Sequence, residues 1–73
     1  MPRFFFNVRN HIDTEDLEGR DLPDLAAATQ EAHKDIADII RARFETIGSW
    51  SHWSIEICDE DRLQLRIVPF LVN

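Results

Sequence analysis

LPDLAAATQEAHKDIADIIRARF, residues Leu22 to Phe44, decides how the rest of the chain is arranged. Pro23 forces Leu22 into an extended conformation. Asp24 can then accept from the free amides of a first helical turn, where its charge suits the positive end of the dipole. The interior is rich in Ala, Ile, Glu, Lys and Arg, and no Gly or Pro interrupts it before Gly48, the expected stop. At 3.6 residues per turn, Leu25, Ala28, Ala32, Ile36, Ile39, Ile40 and Ile47 share one face. Gln30, Glu31, Lys34, Asp35, Asp38, Arg41 and Glu45 lie opposite. Ala26, Ala37 and Phe44 widen the apolar arc to roughly half the circumference, more than the ~100° of a core-facing stripe. Arg43 falls inside that stripe and is expected to snorkel. The small Ala28 and Ala32 predict close approach to whatever lies beneath.

The 73 residues suffice for one domain, and a chain of this size buries only about 60% of its unfolded surface. A partner surface would therefore help it. With 44% apolar residues, five Phe and two Trp, it reads as a folded globule. The net charge of −6 opposes the basic footprint of a nucleic-acid binder. One cysteine, Cys58, excludes an intramolecular disulfide framework and fits a reducing compartment. The apolar run Phe4 to Phe6 is too short for a signal peptide, and nothing approaches the ~20 residues of a membrane span. The expectation is a cytoplasmic protein with no membrane partner.

Short strands flank the helix. In Arg3 to Asn10, Phe4, Phe6 and Val8 point one way and Phe5, Asn7 and Arg9 the other. His11 to Glu18 is a polar loop, and Gly19 to Leu22 is at most a short strand paired back on the first. Trp53, Ile55 and Ile57 alternate with His52, Ser54, Glu56 and Cys58. Leu63, Leu65 and Ile67 alternate with Arg62, Gln64 and Arg66. Directly opposed residues share a face, so a three-residue loop within Asp59 to Arg62 would set Ile57 against Leu63 or Leu65. Pro69 ends the ladder or marks an edge strand. The reading is one α+β domain over residues 1–73, a three- to four-stranded, largely antiparallel sheet packed on one amphipathic helix in the order β-β-α-β-β.

Several short motifs run through this frame in order. They are Met1-Pro2-Arg3-Phe4-Phe5-Phe6, Glu18-Gly19, Leu22-Pro23-Asp24-Leu25-Ala26-Ala27-Ala28, Trp53-x-Ile55-x-Ile57-x-Asp59-Glu60 and Pro69-Phe70. Nearly end to end, the chain resembles the bacterial domain-of-unknown-function family 6894. The resemblance implies a glycine in the turn after Asp59-Glu60, and this chain has none there, which predicts a shorter loop. It also lacks the Gly-Asp turn implied within His11 to Asp16. No activity, cofactor or catalytic residue follows from the resemblance.

Little in the chain suggests chemistry. His33 sits at the border of the helix's apolar arc, where a packed ring is expected rather than a base or a ligand. His11, His33 and His52 show none of the close spacings of a zinc site. His52 and Cys58 share a face, but six residues at ~3.3 Å each set them about 20 Å apart. Cys58 has no identifiable activating partner. Asp13, Glu15, Asp16 and Glu18, and likewise Asp59, Glu60 and Asp61, read as solvated turn carboxylates without the spacing of a calcium loop. No phosphate-cradling or triad motif is present, so no enzyme, cofactor or metal is expected.

Trp53 is expected in the core, and Trp50, of opposite parity, at an end of the sheet and partly exposed. The outer sheet face should carry Phe5, Asn7, Arg9, Ser54, Glu56, Gln64 and Arg66, with Val68 and Phe70 near one end. Phe5, Trp50, Val68, Phe70 and Val72 are the candidate interaction surface, since exposed apolar patches mark partner contacts. The leading expectation is a small non-enzymatic interaction domain forming a homodimer. The alternative is an antitoxin or regulatory accessory protein, from a loose resemblance to the HicB-type antitoxin fold. A small enzyme stands third.

Overall fold

The computed structural model describes residues 1–10, 13–43 and 50–70. Its elements are β1 (Arg3–Arg9), β2 (Arg20–Asp21), α1 (Leu25–Arg43), β3 (Ser54–Cys58) and β4 (Gln64–Pro69). The four strands form one antiparallel sheet in the order β2-β1-β3-β4. This is the α+β arrangement and the β-β-α-β-β order that the periodicities require.

The helix begins where its cap predicts. Asp24 Oδ1 accepts the Ala27 amide at 2.8 Å, satisfying a first-turn donor that has no partner within the helix. Arg41 and Arg43 occupy the last described turn, where positive charge suits the dipole. Ala28 and Ala32 are wholly buried and Ile36 nearly so, while Leu25, Ile39 and Ile40 pack at the margin. The small side chains bring the helix axis close to the sheet, as their size implies. The stripe is narrower than expected, because Ala26, Ala37 and Arg43 are exposed. His33 is exposed too, not packed against the apolar arc. Phe44, Ile47 and Gly48, with the expected stop, lie outside the described residues.

Against the helix, the sheet sets Phe4 and Phe6 of β1, Ile55 and Ile57 of β3, and Val68 of β4. On the same side, Arg20 of β2 lies over the Phe6 ring at 4.6 Å and pairs with Asp35 of the helix. Arg66 of β4 donates to Thr29 Oγ1 at 3.3 Å. These two arginines tie the outer strands to α1 from either edge.

The hairpin between β3 and β4 overturns one expectation and keeps another. Asp59 N donates to Leu63 O and Arg62 N to Asp59 O, both at 3.0 Å, which closes a loop of Glu60, Asp61 and Arg62. A three-residue loop of this form needs a left-handed residue at its end. Arg62 supplies it with φ 65°, where a glycine would sit without strain. Cys58 then opposes Gln64, but Ile57 opposes Arg66 rather than Leu63 or Leu65. Leu65 is the extra residue of a β-bulge, and it inverts the parity of everything beyond. Val68 and Phe70 therefore face the core, not the outer side, and Leu63, Leu65 and Ile67 lie outside it.

The two tryptophans exchange the places assigned to them. Trp53 N donates to Trp50 O at 3.0 Å, so a turn precedes β3 and strand parity does not extend back to Trp50. Trp50 is only 7% exposed and stacks on Phe70 with ring centroids 5.6 Å apart and planes 12° from parallel. Trp53 is half-buried and meets Trp50 edge-on at 5.0 Å.

Candidate interaction surface

The bulge leaves apolar side chains of this edge exposed. Leu63, Leu65 and Ile67 are 62%, 41% and 52% exposed, and Met1 and Leu17 are the other large exposed apolar residues described. Leu65 and Ile67 belong to β4 and Leu63 to the turn before it, whereas Met1 and Leu17 stand elsewhere. Residues between Arg62 and Pro69 include two arginines and no acid in a chain of net charge −6. Both arginines are engaged within the chain. Arg62 lies 4.0 Å over the Phe5 ring and donates to Asp16 O at 3.0 Å, while Arg66 turns toward the helix.

The backbone of this edge has its own pattern. Phe70 N donates to Trp53 O at 3.0 Å, so the polar groups of Phe70 face β3. Strand alternation then turns those of Pro69 and Ile67 outward. Pro69 has no N–H to offer, which fits its place on an edge strand.

The rest of the outer face is polar and closed. Asn7 is 1% exposed although it points away from the helix. Its Oδ1 accepts Asp16 N at 2.8 Å, and its Nδ2 donates to Glu56 Oε1 at 3.2 Å and to Cys58 Sγ at 3.6 Å. Arg9 pairs with the same Glu56 and with Glu15, which holds its guanidinium firmly charged. The Arg9 hydrogen bond in turn holds the Glu56 carboxyl below its ordinary value. Asp16 anchors the loop after β1. Burial acts to raise its pKa, but the amides of Phe6, Gly19 and Glu18 outweigh burial and set it below the ordinary value. Gly19, at φ 74°, lets the chain pass over β1, since a Cβ there would come within 2.8 Å of Arg3 Cγ and 2.9 Å of Phe5 Cε2.

The five residues first assigned to a contact surface do not meet on one. Trp50, Val68 and Phe70 are core, Phe5 is half-buried beneath Arg62, and Val72 lies outside the described residues. Leu63, Leu65 and Ile67, expected on the side of Ile57, are the exposed ones. One signal in the sequence marks the error: the apolar positions of β4 change from odd to even at Ile67-Val68, which a strand without a bulge cannot bury on one side.

Burial, and next the Glu56 charge, push the Cys58 thiol up, so the thiolate that a nucleophile requires is disfavoured. Among the described residues no three His, Cys, Asp or Glu side chains converge to hold a metal ion. A shallow hollow of about 300 Å³ is bounded by Pro2, Arg3, Phe4, Asp59, Glu60 and Asp61, at the lower end of ligand-site volumes. Arg3, its charged residue nearest β2, is committed to Asp21 at 3.0 Å. No described helix is long and apolar enough to cross a membrane.

Comparison with curated proteins and with solved structures gave no match. The family described as Domain of unknown function (DUF6894) matches residues 3–71. That span takes in β1, the Gly19 crossing, the capped helix and the bulged hairpin alike, and the chain belongs to this family.

Proposed function

We propose that the protein is a small non-enzymatic interaction domain that associates with itself through the outer side of β4. The supporting observation is the exposure of Leu65 and Ile67 on an edge strand free of acidic residues. Fully burying a Leu or Ile side chain is worth about 1.5–3 kcal/mol. Two residues roughly half exposed, counted on two copies, supply about 3–6 kcal/mol, near the lower end of the estimated 4–15 kcal/mol cost of association. Weak, concentration-dependent pairing follows, not an obligate complex.

Sedimentation equilibrium from micromolar to millimolar concentration tests this. The expected result is a mass rising from monomer toward dimer, with Leu65→Lys plus Ile67→Lys remaining monomeric. A monomeric mass of the native chain throughout would refute the proposal.

A further inference from the structure

We infer that Asp16, Asn7 and Arg62 form a clasp over the outer face of the sheet, and that it opens, with the core intact, when Asp16 takes up a proton. This device is independent of the self-association proposed above and makes no use of the β4 edge.

The clasp has two arms, which meet at Asp16. One is the loop after β1. Asp16 N donates to Asn7 Oδ1 at 2.8 Å, and Phe6 N donates back to Asp16 Oδ2 at 3.0 Å. The second carboxylate oxygen accepts the Glu18 and Gly19 amides, both at 3.1 Å, which turns the loop toward β2. The other arm is Arg62, at the end of the β3–β4 hairpin loop. Cys58 has Phe5 as its neighbour on β1 and Gln64 as its neighbour on β4. Arg62 lies over the Phe5 ring and donates to Asp16 O at 3.0 Å, so its side chain crosses the sheet in that row. Beneath the arms Asn7 is 1% exposed and Cys58 3%, and their side chains meet at 3.6 Å.

The clasp is separate from what holds the fold. Phe4, Phe6, Ile55, Ile57 and Val68 pack with the helix on the opposite side of the sheet. Polar groups and one ring hold the clasp, and Leu17 of its loop is 81% exposed. Segments with little buried apolar surface open at lower free energy than the core. The hairpin arm is strained as well. A φ of 65° is uncommon for a residue with a side chain, and it persists only while its surroundings enforce it. Once the loop leaves, Arg62 loses its carbonyl acceptor.

A proton disables the joint between the arms. Charged, the Asp16 carboxylate accepts three amides; protonated, it carries a hydroxyl that is a donor among donors. Arg20 attracts its charge, Arg62 sits on its carbonyl, and Arg3 donates to the neighbouring Glu18 O. Behind Asn7 lies Glu56, paired with Arg9, which also meets Asp13 and Glu15. From the helix, Glu31 and Asp35 face Arg20. Burial alone would raise the Asp16 pKa, but the three amides and then Arg20 set it below the ordinary 3.8. The clasp is therefore shut at neutral pH and is released as pH falls through the folded value.

The test is labelling of Cys58, the single cysteine, in the native chain with a pyridyl disulfide, from about pH 7 to about pH 2.5. Each rate is divided by that of a free thiol at the same pH, and tryptophan fluorescence follows the Trp50 stack on Phe70 in the core. The expected result is a corrected rate that rises about tenfold or more before the fluorescence changes. Asp16→Asn should label at the fast rate already at neutral pH, with no further rise in acid. Arg62→Gly keeps the turn, removes one arm, and should label faster than the native chain at neutral pH. A corrected rate that stays flat, or rises only together with the fluorescence change, would overturn the inference. An acid rise retained in Asp16→Asn would overturn it too, assigning the trigger to Glu56 beside the same thiol.

Discussion

Along the outer side of β1 the backbone is engaged by a loop and by β2, and along the outer side of β4 it is bare among the described residues. Val8 exchanges both its bonds with Thr14, Phe6 N finds the Asp16 carboxylate at 3.0 Å, and Phe4 pairs with Arg20. A polar loop, one carboxylate and a strand of two charged residues close that edge. On β4, Ile67 faces solvent with an apolar side chain, and the Leu65 bulge and Pro69 are what blunts the edge. Edges are ordinarily protected by short strands, charges and proline. The first edge uses all that the loop can give it, and the second is left able to pair.

The comparison can be broken from the middle outward. Ile57, wholly buried on the strand between β1 and β4, supports both edges. Ile57→Ala should cost about 2–5 kcal/mol in urea unfolding; a loss near 1 kcal/mol would mean that the sheet centre repacks freely. Asp16→Ala strikes the closed edge alone. It strands the Phe6 amide and takes the acceptor from the Glu18 and Gly19 amides, and should cost about 2–3 kcal/mol.

The same carboxylate makes the closed edge sensitive to acid. The Asp16 pKa is lower folded than its ordinary 3.8, so its contribution is complete above that value and is lost as pH falls through the folded value. The urea midpoint of the native chain should fall below about pH 4 by more than that of Asp16→Asn. Parallel losses in the two proteins would assign the acid sensitivity elsewhere, Glu56 first.

Arg62 joins the two edges, lying over Phe5 and bonded to Asp16 O while it holds a left-handed backbone. Arg62→Ala keeps the strained backbone and loses both contacts, for a cost of about 1–2 kcal/mol. Arg62→Gly relieves the backbone and should cost visibly less, and the order of the two unfolding midpoints checks this. The smallest effect belongs to the open edge. Leu65→Lys or Ile67→Lys should alter the stability of dilute protein by no more than about 0.5 kcal/mol, because neither side chain is core.

Local periodicity made the helix, its cap at Asp24, β1 and the element order legible, because each depends on residues adjacent in sequence. The candidate surface was not legible, for a reason that can be stated residue by residue. Face assignment along β4 is a count, and one bulged residue shifts every later term. Ile67 and Val68 exchange sides on that account alone. Buried Asn7 was hidden differently. Polar residues on an outer face are ordinarily solvated, and only the return of Asp16 over β1 covers this one. The departure from the family's turn glycine was visible. Its resolution, an arginine held at positive φ by an aromatic ring and a carbonyl, depends on contacts between residues more than forty positions apart.

The bulge also tells how the hairpin can change length. On its turn side Cys58 opposes Gln64, and on its far side Ile57 opposes Arg66. Removing Leu65 would leave both pairings in place and restore an unbroken ladder, with Val68 and Phe70 still inward. Removing Arg66 instead would set Leu65 opposite Ile57 and leave the same register beyond, with Phe70 still stacked on Trp50. A single-residue deletion at Leu65 or Arg66 is thus absorbed by loss of the bulge. Among members of the family, gaps between the Asp59-Glu60 and Pro69-Phe70 motifs should gather at positions 65 and 66.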